Sequence, residues 1–141
     1  MSRRRKVLIA IATAGVIALG AVAFRVLPLF IGPALPAGAT RLHIATERPN
    51  INLGCATALL VPVRVATSGD ELTLVSVESG STIDVVWPSG FGAWRVGGTS
   101  VVADPWGSVV GREGDVLDSL GGGTGVDDAF HICPLGIVTR R

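Results

Sequence analysis

The chain has two cysteines and two histidines, and their positions set the chemistry open to it: His43, Cys55, His131 and Cys133. In His131-Ile132-Cys133 the imidazole and the thiol stand two residues apart, which on a strand puts both on one face. A thiolate beside an imidazole is a nucleophile with its base. Two Cys with two His also make up a zinc set, although none of the usual short ligand spacings is present. The third option is a disulfide, Cys55–Cys133, the expectation an even cysteine count favours in a small domain outside the reducing cytoplasm. It closes a loop of about 78 residues and stabilises by about 4 kcal/mol in the chain-entropy model.

Two other stretches carry chemistry. Gly122-Gly123-Thr124-Gly125-Val126-Asp127 matches the first six positions of the calcium-binding nonapeptide repeat. Asp115, Asp118, Asp127 and Asp128 are then candidate carboxylate ligands. That architecture shares each ion between successive turns, so a single copy makes no site, and a flexible glycine loop is expected instead. No Lys-Ser/Thr pair follows the glycines, which excludes a phosphate-cradling loop. Trp87, Phe91 and Trp94 fall within eight residues, with Trp106 in the next turn. These four are either a stacking platform for a sugar ring or a peptide, or the plugs of a small barrel. With three Trp, four Phe and no Tyr in the whole chain, the core is expected to claim them.

The elements that position these residues begin with an export signal. Residues 1–6 hold Arg3, Arg4, Arg5 and Lys6, and Val7 to Phe24 follow without a charge. As a helix those eighteen residues span about 27 Å, close to a hydrocarbon core of about 30 Å. The apolar character resumes after Arg25 and lasts to Ile31, so residues 7–31 are read as a transmembrane anchor or signal segment. The basic cluster stays cytoplasmic and everything after the segment is expected outside. Ala21-Val22-Ala23 and Ala37-Gly38-Ala39 both have the small-x-small form of a cleavage site; the length of the apolar run favours an uncleaved anchor. Residues 32–40 form a Pro/Gly/Ala linker. The remaining domain, 41–141, is mildly acidic: beyond residue 31 seven Arg stand against all eleven acids. It lacks the basic surface that nucleic acid requires.

From residue 41 the pattern is strand, turn, strand. Ala58–Thr67 and Leu72–Glu78 are Val/Leu-rich runs joined at Ser68-Gly69-Asp70, and Pro62 marks the first as an edge or bulged strand. Ser79-Gly80-Ser81 leads into Ile83–Trp87, Gly97-Gly98 makes a tight hairpin, and Asp104-Pro105-Trp106-Gly107 has type I turn chemistry. Ser108–Gly111, Val116–Leu120 and Phe130–Val138 complete the set. Turn signals every 8–12 residues predict an all-β domain, a small closed or partly open antiparallel barrel of about five to eight short strands, similar to an OB-fold.

Membrane-anchored β-barrel cysteine transpeptidases, the sortases, share that topology and fold class. Their Thr-Leu-x-Thr-Cys strand motif corresponds here to Ala129-Phe130-His131-Ile132-Cys133, which departs from it, and the chain is short for that family. A broader pattern is closer. Trp87-Pro88-Ser89-Gly90-Phe91, Asp104-Pro105-Trp106-Gly107-Ser108-Val109-Val110, Glu113-Gly114-Asp115 and Gly121-Gly122 resemble the succession found in small bacterial exported proteins and lipoproteins. The resemblance implies a compact barrel and brings no activity with it. The sequence therefore points to a non-enzymatic cell-envelope module without cofactor, bound to the membrane through residues 7–31. Its expected partner is an envelope protein or a glycan; the alternatives are a Cys–His enzyme and a calcium-binding domain.

Overall fold

The structure, a computed structural model, describes residues 3–48, 58–60, 62–125, 127–133 and 139–140; for 3–10, 58–60, 119 and 139–140 it describes the backbone alone. The apolar N-terminus is helical: α1 (Arg3–Val26) runs into the single turn α2 (Pro28–Ile31). The interruption sits where Pro28 has no N–H to donate back along the helix. Helical bonding resumes at once, with Ile31 N–H on the Leu27 carbonyl at 3.2 Å. Ile11–Ile31, at a mean hydropathy of 2.2, is long and apolar enough to cross a membrane; none of it is fully buried, and only Pro28 and Leu29 are half-buried.

The rest is β structure in two open sheets: β1 (Thr40–Leu42), β2 (Ala58–Leu60), β3 (Val63–Ser68), β4 (Glu71–Ser76), β5 (Thr82–Ile83), β6 (Val85–Val86), β7 (Gly92–Val96), β8 (Thr99–Ala103), β9 (Val109–Arg112), β10 (Val116–Thr124), β11 (Phe130–Ile132) and β12 (Thr139–Arg140). The four-stranded sheet has the order β1-β7-β8-β9. The eight-stranded one follows β5-β4-β3-β10-β11-β6, with β2 and β12 also on β10. The expected closed barrel is thus corrected to open sheets, and one pair, β6 with β11, is parallel. The reason lies at Asp84. The larger sheet ends on β5 and β6, two strands of two residues each with only Asp84 between them. A one-residue connection cannot make a hairpin, so the sheet curls until its ends are neighbours in sequence, yet they do not pair.

Local turn chemistry explains the hairpins. Gly97 and Gly98 both take positive φ, +57° and +81°, the type I′ geometry whose twist suits two strands; β7 and β8 pair in register from Gly92↔Ala103 to Val96↔Thr99. In the 104–107 turn Gly107 N–H reaches the Asp104 carbonyl at 3.0 Å. The Asp104 carboxylate also accepts from Trp106 N–H and Ser108 N–H at 3.0 and 2.8 Å. Pro62 interrupts rather than edges its strand. β2 and β3 face β10 in one continuous antiparallel register, Ala58↔Gly122 through Leu60↔Leu120 and on to Val63↔Leu117. The ladder skips the position where Pro offers no donor. β3 itself is an inner strand, between β4 and β10.

The glycine run is likewise strand rather than flexible loop. Gly122 lies under the Phe130 ring: a Cβ there would come within 2.6 Å of that ring and against the His131 carbonyl. The main core gathers Val63, Val65, Leu72, Leu74, Leu117, Leu120, Ile132 and Trp87, with Leu42, Ala93 and Val102 from the smaller sheet. Alternation along β8 sends Val101 and Ala103 to the opposite face, where they pack with Trp94 in a second cluster against Ala39 and Val109.

The helix end and the β domain touch. Ser89 Oγ donates to the Leu29 carbonyl at 2.7 Å. At Gly90, where φ is +83°, a Cβ would stand 2.7 Å from the Pro28 carbonyl and 2.8 Å from Leu29 Cα. At Gly92 it would meet the Pro33 ring at 2.9 Å. Glycine at these two positions is what lets α2 and the first linker residues seat on the domain.

Candidate functional site

An open cleft of about 860 Å³ is lined by residues 43–48 with Val86, Asp127 and His131. Its rim strand continues from β1 and is stitched between the two sheets. His43 N–H donates to the Asp70 carbonyl at 2.7 Å, Leu72 N–H to the His43 carbonyl at 3.1 Å, Trp87 N–H to the Ala45 carbonyl at 2.8 Å and Glu47 N–H to the Trp87 carbonyl at 2.8 Å. This places the Glu47 side chain opposite β11. On the other side, the turn after β10 is closed by Gly125 N–H on the Ala129 carbonyl at 3.0 Å. Asp128 takes a left-handed φ of +62° there, a conformation Asp tolerates better than most residues, and Asp127 is turned toward the cleft.

Between them lies His131. Its Nδ1 is 2.9 Å from Glu47 Oε1 and its Nε2 is 3.0 Å from Asp127 Oδ1. Carboxylates only accept, so both contacts are hydrogen bonds when both ring nitrogens carry a proton. The Asp127 hydrogen bond foremost, then that of Glu47, raises the His131 pKa above its ordinary value, against a smaller opposing effect of burial. In return the bond from His131 lowers the Asp127 pKa. An imidazolium held at both nitrogens has no lone pair to offer as base, nucleophile or metal ligand. What it can do is cross-link the rim strand to β11 and the 125–129 turn. His43, exposed at the other end of the cleft, stands 3.9 Å from Glu71 Oε1, beyond hydrogen-bond length.

The residues singled out in the sequence are scattered. Trp87 is 1% exposed and stacks on Phe91 at 5.8 Å and 28°, and Trp94 is 6% exposed. Trp106 alone is open to solvent, at 56%. The four do not form a platform. Cys133, 7% exposed, follows β11, donates its N–H to the Gly121 carbonyl at 2.9 Å and is not a free thiol; Cys55 lies outside the described residues. Asp115 Oδ2 accepts from Arg112 N–H at 2.9 Å in the 112–115 turn. Asp118 lies in β10, and Asp127 and Asp128 in the turn beyond its far end. Among the described residues no three His, Cys, Asp or Glu side chains gather as a metal site. Glu47 went unnoticed in the sequence: it is 84 residues from His131, and nothing local marks it. No family model, curated protein or solved structure matches the chain.

Proposed function

We propose that this protein is an exported, membrane-anchored module of the cell envelope whose β domain binds a partner rather than catalysing a reaction. The observation that carries the reading is the apolar span Ile11–Ile31, none of it fully buried by the domain, on the C-terminal side of the four basic residues 3–6. A helix apolar on all sides and left uncovered needs lipid around it, and the cluster assigns the N-terminus to the cytoplasm. Cleavage after Ala39 would strip away Pro33, which is buried against the domain, and Ala39, which packs on the Trp94 cluster. N-terminal sequencing of the membrane and soluble fractions tests the anchor. A chain in the membrane fraction starting at residue 1 or 2 supports it; a mature terminus at Phe24 or Thr40 refutes it.

Binding is favoured over Cys–His catalysis because His131 has both nitrogens engaged and Cys133 is buried. The expected bridge to Cys55, the chain's other cysteine, is part of the same proposal. The open cleft beside residues 43–48 is the surface offered to an envelope protein or glycan. The pattern shared with small exported proteins falls on structural residues: the Trp87–Phe91 stack, the Asp104 and Asp115 turn caps, and Gly122 under Phe130. What is shared with that group is, on this reading, a scaffold rather than an active site.

A further inference from the structure

Trp106 is the one tryptophan of three that the fold leaves in the open, and the strand register places the turn that carries it. The start of β7 lies against the helix end, through Gly90 on Pro28 and Leu29 and through Gly92 on Pro33. Gly92 pairs with Ala103, so β8 ends at that same edge of the sheet. The 104–108 turn leaves the sheet on the side where the helix arrives. The turn's charge is already engaged, since Asp104 Oδ1 accepts from Trp106 N–H and Ser108 N–H. Arg112, the basic residue of β9, pairs with Val101 farther along β8, away from this edge. The helix end also exposes the large apolar side chains Val26, Leu27, Phe30 and Ile31. An indole, apolar with one N–H donor, is the side chain that favours the headgroup layer of a bilayer.

We propose that Trp106 is a second membrane contact, seated in the headgroup interface of the bilayer that holds residues 11–31, so that the β domain rests on the membrane. The proposal rests on the anchor reading, and its test separates the two. The full chain is reconstituted in phosphatidylcholine vesicles carrying lipids brominated near the headgroup end of the acyl chain, beside a Trp106→Phe variant of unchanged melting temperature. Because Trp87 and Trp94 are buried, the difference between the two emission spectra belongs to Trp106. The expected result is that this difference loses most of its intensity in brominated vesicles. A difference spectrum that brominated lipid leaves undimmed overturns the seating, whether the indole then faces water or a second protein. If the chain still floats with the vesicles, the anchor stands without it; a chain that stays behind in the aqueous fraction overturns both.

Discussion

Replacing His131 with Gln removes the imidazole that Glu47 and Asp127 hold while keeping a polar side chain of similar reach. The His131–Glu47 pair is about one-third exposed on each side, 32% and 31%, so it contributes of the order of 1 kcal/mol, the upper end for such pairs. The sign with pH follows from the direction of the shifts. His131 is raised in the folded state, so its contribution is complete below its unfolded pKa of about 6.5 and disappears as pH rises through the folded value. Asp127 is lowered, so its contribution is complete above its unfolded pKa of about 3.8 and is lost on further acidification. The cross-link is therefore fully formed in a mildly acidic window. A change of 1 kcal/mol moves the melting temperature of a domain this size by roughly 4–8 °C. Thermal unfolding of wild type and His131→Gln, followed by circular dichroism at pH 5 and pH 8, should show that gap at pH 5 and a smaller one at pH 8. A gap that is constant with pH would mean that His131 acts by packing alone, and one that widens toward pH 8 would reverse the protonation assignment.

Other outcomes follow from the same geometry. Gly90→Ala should destabilise by about 1–3 kcal/mol, because its φ is left-handed and α2 occupies the space. Gly69→Ala, at a similar φ with nothing near it, should cost less, and proteolysis of residues 26–34 should accelerate only in the former. Leu74→Ala, at a fully buried position, should cost about 2–5 kcal/mol in denaturant melts. Thiol titration of denatured protein prepared without reductant should find no free cysteine; two reactive thiols would dismiss the Cys55–Cys133 bridge. Where the bridge is present, Cys133→Ser should lose about 4 kcal/mol.

What the sequence disclosed was local. The turn between β3 and β4, the Gly97-Gly98 hairpin and the Asp104–Gly107 turn are each decided within a few residues by glycine, proline and a capping carboxylate. The apolar N-terminal helix is decided by composition alone. The parts that stayed hidden depend on partners far along the chain. Residues 121–124 read as a glycine loop because glycine has little strand preference of its own. They are extended because β2 pairs with 120–122 and β11 with 122–124, and because the Phe130 ring fills the space a side chain would take. Open sheets rather than a barrel follow from the one-residue link at Asp84, too small a feature to read from strand spacing. The His131 cross-link takes in Asp127, four residues away, and Glu47, 84 residues away, and no spacing rule marks the second.

The place of β10 also sets a timetable. A chain is made from its N-terminus, and the hairpins β3–β4 and β7–β8 need only neighbouring residues, so both can form as soon as they appear. The larger sheet cannot, because β2, β3, β11 and β12 all pair with residues 116–124. Until that late segment arrives, Ala58-Leu59-Leu60 and one edge of β3 have no strand to pair with, and such open edges invite other chains. Assembly dominated by contacts between distant residues is slow. For a growing chain the hazardous interval is the wait for Val116–Thr124, and keeping its early edges apart from other chains is the demand this topology makes on its surroundings.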